Sequence, residues 1–297
     1  MVWLSAQVPY GQAQVILERI GGWAVGSSTL WEQTQQHGER LRETVQSAHQ
    51  QAGSETSPEE ESHAVGETRK AVSMDGGMVH VREEGWKEIK IGLVADVPRV
   101  DCTQAEPVHL TRMQYMAVLG SVEAFAPALR AFAVFHGVPH APQVVVTADG
   151  ALWIWRLADT DFPDAVQVVD WYHACQHLAQ AAQARFPTDA LAAQRWLREL
   201  KDLLFKGDLP LLTAQLRLHG LASAATYFET HAHRMRYAQF QADGLPIGSG
   251  AVESGVKQFK QRLAGPGMRW SRPALDRMIV LRAAVLGGSF DSLWLAA

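Results

Sequence analysis

Cysteine is nearly absent: the chain of 297 residues holds two, Cys102 and Cys175, in unrelated contexts. Neither a disulfide framework nor a cysteine zinc knuckle can be built from them within this chain, and both read as packed, reduced thiols. Long apolar runs are missing as well. No stretch approaches the roughly 20 consecutive apolar residues of a membrane helix. The opening MVWLSAQVPYGQ lacks the charged start and apolar centre of a secretory signal. A cytosolic protein is expected. Basic excess is lacking too: 27 Lys and Arg stand against 31 Asp and Glu, for a net charge of -4. That balance argues weakly against a nucleic-acid partner until its distribution is considered. What is present is 47% apolar residues, ordinary for a soluble globular chain with a sizeable core.

Residues 10–20, YGQAQVILERI, carry helical apolar spacing, followed by the breaker GGWAVGSS and a second helical run from Thr29, where Thr29 and Glu32 fit a capping box. The outline is a helix-turn-helix. Two merely packed helices explain it equally well, because few basic residues sit on the second helix's first turns. Residues 50–68, QQAGSETSPEEESHAVGET, are polar and acidic, the composition of an exposed linker, so a boundary is expected there. The chain thus divides into a helical segment (1–49), a linker (50–68) and a larger domain (69–297). Strand patterns follow in AVSMDGGMVHVRE and EIKIGLVADV, with a turn near Gly85 that lets them pair antiparallel. A helical stretch is expected from Arg112 to Gly137, then strands in QVVVTADG and AVQVVDW. From His173 to about Gln239 only helical patterns occur, broken at Pro187, Gly207, Pro210 and Gly220. The loop ADGLPIGSGA then opens a last long helical region. The fold class is α/β, a mixed sheet with an all-helical block (about 178–240) before the last helices.

Three carboxylates attract notice. Asp75 interrupts an apolar strand pattern ahead of Gly76-Gly77, Asp149 closes VVVTADG ahead of Gly150, and Glu253 falls in the first turns of a helix begun by a Gly- and Ser-rich loop. Each has a plain alternative: Asp-Gly is a standard turn dipeptide, and glutamate is common at helix N-termini. A carboxylate amid apolar flanks is costly unless compensated, however, and three from separate segments suit Mg²⁺ or Mn²⁺ through oxygen ligands. No Cys or His cluster competes. Gly248-Ser249-Gly250 lacks the spacing of a nucleophile elbow, which removes a metal-free serine hydrolase. From Gly255 to Val285 the basic residues Lys257, Lys260, Arg262, Arg269, Arg272, Arg277 and Arg282 face one acid, Asp276. That bias beside Glu253 suits phosphodiester contact, with Trp270 as a stacking surface; a solvated basic helix with a buried tryptophan is the competing reading.

The motifs SMDGGMV around Asp75, VVTADGALWIW around Asp149, VVDWYHACQHL around Asp170 and PIGSGAVESGVKQFKQRLAGPGMRWS around Glu253 occur in an order that resembles bacterial insertion-sequence transposases of the ISKra type, distant relatives of Mutator-like elements. The resemblance covers nearly the whole chain. It implies a ribonuclease H-like fold, aspartates on neighbouring strands and a glutamate on a helix after an all-helical insertion. It implies a DDE-type polynucleotidyl transferase with Asp75, Asp149 and Glu253 as catalytic metal ligands for a pair of Mg²⁺ or Mn²⁺ ions. DNA, as element terminal inverted repeats and target, is the implied partner, contacted by Lys257, Lys260, Arg262, Arg269, Trp270 and Arg272. A homo-oligomer on DNA in the bacterial cytoplasm, at the nucleoid, is implied as well. Asp170 and His173 match an acid-x-x-His pattern of related transposases and are accessory: His173 positions a phosphate or a flipped base, or orients Asp170 by a hydrogen bond. His177, one turn on, forms no metal pattern with its neighbours and is not singled out. Two rivals stand beside this reading: a nuclease on the same fold, and an N-terminally truncated, catalytically inactive DNA-binding remnant.

Overall fold

The computed structural model describes residues 1–55, 68–99 and 108–296; Cys102 and most of the acidic stretch lie outside them. Its centre is a five-stranded mixed sheet ordered β3-β2-β1-β4-β5. Strands β1 (Arg69–Val81) and β2 (Gly85–Val97) form a long antiparallel hairpin. Its three-residue turn is closed by Gly85 at φ 77°, a left-handed conformation that glycine adopts without a Cβ penalty. Within this hairpin Asp75 is paired with Ile91 and Gly76 with Lys90, so the first Asp-Gly is continuous strand and not a turn.

Strand β3 (Thr111–Leu119) adds antiparallel to β2, and helix α4 (Val122–Phe135) follows. The single helix expected over 112–137 is therefore half strand. TRMQYMAVL carries residues that tolerate a helix, but the free edge of β2 offers a ladder of backbone partners that outweighs local propensity. Gly120 at φ 140° separates the two elements. Strands β4 (Val144–Ala148) and β5 (Val166–Val169) run parallel to β1, joined through helix α5 (Leu152–Asp161). Helices α6 (Trp171–Arg185), α7 (Ala190–Lys206), α8 (Leu209–Leu218), α9 (Ala222–Thr230) and α10 (Tyr237–Ala242) form the all-helical block. Helices α11 (Gly250–Leu263), α12 (Arg272–Leu286) and α13 (Phe290–Ala296) complete the chain.

One core lies between the sheet and α4, α5 and the helical block, around Val72, Met74, Val146, Trp155 and Leu178. The other lies between the sheet and α11 and α12, around Val79, Ile89, Ile91, Phe259 and Met278. Because successive strand residues face opposite sides, Asp75 shares the α11 face with Gly77, Val79 and Val81. Among the described residues no helix is long and apolar enough to cross a membrane.

The N-terminal helices α1 (Val2–Gln7), α2 (Tyr10–Gly21) and α3 (Ser27–Glu55) pack onto this body. α3 begins at Ser27, so Thr29 sits inside its first turn and is not the cap of a capping box. It also extends to Glu55, through the first residues of the expected linker. One face of α3 lies on α12, with Gly38 against Arg277 and Leu281. A helix-turn-helix outline is present in the chain order, but its second helix is committed to internal packing.

Helix α11 crosses the sheet at close range because Gly255 has no side chain: a Cβ there would stand 2.5 Å from Tyr115 Cε1. Tyr115 is held in turn, its hydroxyl donating to the Ala251 carbonyl at 3.2 Å. Gly255→Ala is expected to lower stability by about 1–3 kcal/mol through overpacking, measured by urea denaturation, with the smaller Tyr115→Leu restoring part of the loss in the double variant.

Candidate active site

β1 and β4 pair only as far as Ser73 and Thr147, and β4 and β5 as far as Ala148 and Val169. Beyond those points the parallel strands part, leaving the crevice outside their carboxyl ends where α/β sheets bind ligands. Asp75, Asp149 and Asp170 all stand there. Asp75 accepts a hydrogen bond from its neighbouring Gly76 N–H at 2.6 Å, and Asp149 from the Ala151 N–H at 2.9 Å. Glu253 in the first turn of α11 accepts from the Ser249 hydroxyl at 3.0 Å. Burial raises the Asp75 carboxyl above its ordinary range; the charges of Asp149 and Glu253 raise it further, while the Gly76 amide and Lys260 oppose the shift. Asp75 thus lies within electrostatic reach of both other carboxylates named from the sequence.

Their donor chemistry, carboxylate oxygen alone, fits a hard divalent cation. Among the described residues no three such side chains converge tightly enough in this conformation to cage an ion.

Asp170 is fully buried and caps α6, accepting the His173 backbone N–H at 2.6 Å. Its other oxygen accepts the Ser249 N–H and, at 2.9 Å, the Ser249 hydroxyl. The Trp171 N–H donates to the Ile247 carbonyl at 2.8 Å, so the loop before α11 is pinned to the β5–α6 junction twice. The bond joining His173 to Asp170 comes from the backbone, not the ring. That ring instead meets His177 at 5.1 Å, and His177 stacks on Tyr227 of α9 at 3.9 Å and 24°.

Tyr227 was not legible from the sequence, where it is one aromatic in a helical block. Its hydroxyl would lie 3.1 Å from a Cβ at Gly150, whose φ of 102° also favours glycine. It is screened from solvent and has no hydrogen-bond partner among the described residues. Burial, Asp149 and Asp170 push it well above the usual tyrosine range, so it keeps its proton at neutral pH. His177 is lowered by burial and by His173 and stands neutral.

The basic stretch divides. Lys257, Lys260 and Arg269 are exposed, and Lys260 packs its stem against Gly77 close to Asp75. Arg262 is 2% exposed and donates to the Ser5 carbonyl at 2.7 Å, which removes it from the surface contact expected of it. Trp270, 7% exposed, donates its Nε1–H to the Leu263 carbonyl at 2.8 Å and offers no open stacking face. Arg272 is paired with Glu84 at 2.6 Å. Arg277 bonds Glu39 and Gln35, and Arg282 reaches the Ala6 and Gln258 carbonyls. Charge counted along the chain overstated the surface field because Arg262, Arg277 and Arg282 serve as internal struts and Arg272 is neutralised at the surface by Glu84. A cavity of about 730 Å³ between α3, α4, α12 and β3 contains none of the site residues.

No protein-family model matches the chain, and no curated protein matches it. What the fold and the crevice define is an α/β protein with three carboxylates and a lysine gathered at the ends of its parallel strands.

Two outcomes follow. Asp170→Ala removes a cap and the buried acceptor of the Ser249 amide, and is expected to cost about 3 kcal/mol, whereas His173→Ala stays within about 1 kcal/mol, both by chemical denaturation. Asp75→Asn is expected to raise the melting temperature of metal-free protein at pH 7. Asp75 is raised in the folded state, so its ionisation destabilises the fold above that raised value; the gain of the Asn variant should shrink as pH falls through it towards the ordinary 3.8.

Proposed function

We propose that the chain is a metal-dependent polynucleotidyl transferase, a DDE-type DNA transposase of the ISKra kind, acting on insertion-sequence ends in the bacterial cytoplasm. The observation that carries the reading is the gathering of Asp75, Asp149 and Glu253, from β1, the end of β4 and α11, into one electrostatically coupled crevice with Lys260. Neighbouring-strand aspartates and a helix-borne glutamate after an all-helical block agree with the ribonuclease H-like arrangement that the sequence motifs imply.

Asp75, Asp149 and Glu253 would hold Mg²⁺ or Mn²⁺, as a pair of ions that activates an attacking oxygen and stabilises the leaving 3′ oxygen. Lys260, beside Asp75, contacts the scissile strand's phosphate, and Lys257 on the same helix contacts a neighbouring one. Ser249 has one hydroxyl proton within reach of both Asp170 and Glu253; Asp170 already accepts the Ser249 amide, which leaves that proton to orient Glu253. Tyr227, protonated and beside Asp149, can donate to a non-bridging phosphate oxygen. His177 stacks on it and His173 meets His177 in turn, rings that suit a displaced base. DNA ends and target DNA are the partners, and synapsis of two ends calls for a homo-oligomer on DNA.

The test is incubation of the full chain with labelled DNA carrying the element's ends, with Mg²⁺, Mn²⁺ or EDTA. Cleavage and strand transfer are expected with either metal and should fall to background in EDTA and in Asp75→Ala, Asp149→Ala and Glu253→Ala. Ser249→Ala should lower the rate about 10–100-fold through the misplaced glutamate. Cleavage without strand transfer would assign a nuclease; DNA binding with no products would assign a non-catalytic binder.

A further inference from the structure

Beyond the far end of α11 from Glu253 lies a second cavity of about 380 Å³. Tyr10, Trp31, Arg82, Arg262, Arg269 and Trp270 line it, together with Ser271, and no carboxylate does. The guanidinium of Arg262 stands 5.2 Å from the Tyr10 ring and 5.0 Å from the Trp270 ring. One of its terminal nitrogens, Nη2, completes no well-formed hydrogen bond among the described residues; the polar side chain that bears on the guanidinium is the Tyr10 hydroxyl, which Thr34 and Gln35 also approach. The groups that bear on this buried charge are Tyr10 and a second cation, Arg282. Ser271, the cap residue of α12, makes no side-chain cap bond and lines the cavity with Ala274, so the Arg272 and Ala274 amides, on either side of Pro273, start this 15-residue helix without a side-chain cap.

A buried guanidinium without a counter-charge is costly, and three arginines beside a helix N-terminus compensate one another only when an anion enters. Tyr10 and Trp31 come from the N-terminal helices and the remaining residues from the catalytic body, so the cavity exists only because the two are packed together. Nine residues separate Glu253 from Arg262 on α11, roughly 13 Å along the helix, or about four steps of a nucleic-acid strand.

We propose that this cavity is a phosphate-binding pocket that holds a backbone phosphate of the DNA strand a few nucleotides from the scissile bond, and that building it is a task of the N-terminal helices. It rests on the transposase reading for the identity of the strand, but its anion chemistry stands apart from catalysis. The arrangement fixes the strand's register at two points, the carboxylate crevice and this pocket, joined by one rigid helix.

Two measurements on the full chain in EDTA test it, using Arg82→Gln/Arg269→Gln, which leaves the structural Arg262 intact, and Arg195→Gln on α7 as a control. In the first, inorganic phosphate at tens of millimolar raises the wild-type melting temperature above that in sodium chloride of equal ionic strength, and the double variant loses this shift. In the second, DNA affinity is followed against salt; the double variant is expected to lose about tenfold and to show a log–log slope shallower by one to two, with the control unchanged. Phosphate protection without a change in slope would overturn the strand assignment and leave a site for a free phosphate. Equal behaviour of double variant and wild type in both measurements would overturn the pocket. Cleavage surviving in Asp75→Ala would instead overturn the transposase reading, and neither binding measurement depends on that result.

Discussion

The candidate site depends on the Asp170 carboxylate. It has no exposed surface, yet it caps α6 and accepts the Ser249 amide, with the Ser249 hydroxyl oxygen 2.9 Å away. A carboxyl group so deep in the protein is sustained by these donors and by the N-terminus of α6. The consequence reaches beyond its own helix. Ser249 is the residue before α11, so the bond between Asp170 and Ser249 sets where that helix starts, and the Ser249 hydroxyl reaches Glu253 one turn later. Asp170 is a positioning residue: it holds the glutamate's helix against the strands that carry the two aspartates.

Arginine performs the complementary task at the other end of the same helix. Arg262 holds Ser5, Arg282 holds Ala6 and Gln258, and Arg277 holds Glu39 and Gln35, so three cations of the C-terminal stretch bind the N-terminal helices to the body. Three cations of the basic tail are thus mortar between helices, while Lys257, Lys260, Arg269 and the Glu84-paired Arg272 face outward. The guanidinium fork suits this role because it satisfies several backbone carbonyls from one planar group. The same burial leaves Arg262 short of a partner, which is why the joint between the two parts is also an anion-seeking cavity.

Much of the fold was legible in residue order. The hairpin around Gly85, the strands at 144–148 and 166–169 and the helical block after them followed from period and punctuation, and the three carboxylates stood out because each interrupts or ends such a pattern. Thr111–Leu119 was misread as helix because an edge strand draws its stability from a neighbour that local propensity does not describe. Asp75-Gly76 read equally as a turn until its pairing with Ile91 and Lys90 made it strand. Tyr227 gave no signal and His177, one turn beyond His173, only a spacing without a metal pattern, since their importance lies in where α9 and α6 meet the end of β4.

The sequence by itself determined most element types, the α/β class and which three carboxylates stand out from their surroundings, because hydrophobic period and the rarity of acids in apolar strands are local properties. Tertiary structure alone decided which charges stay on the surface, which aromatics reach the crevice and how the N-terminal helices are used. Those outcomes depend on packing between segments far apart in the chain, where burial turns a guanidinium from a phosphate contact into a strut.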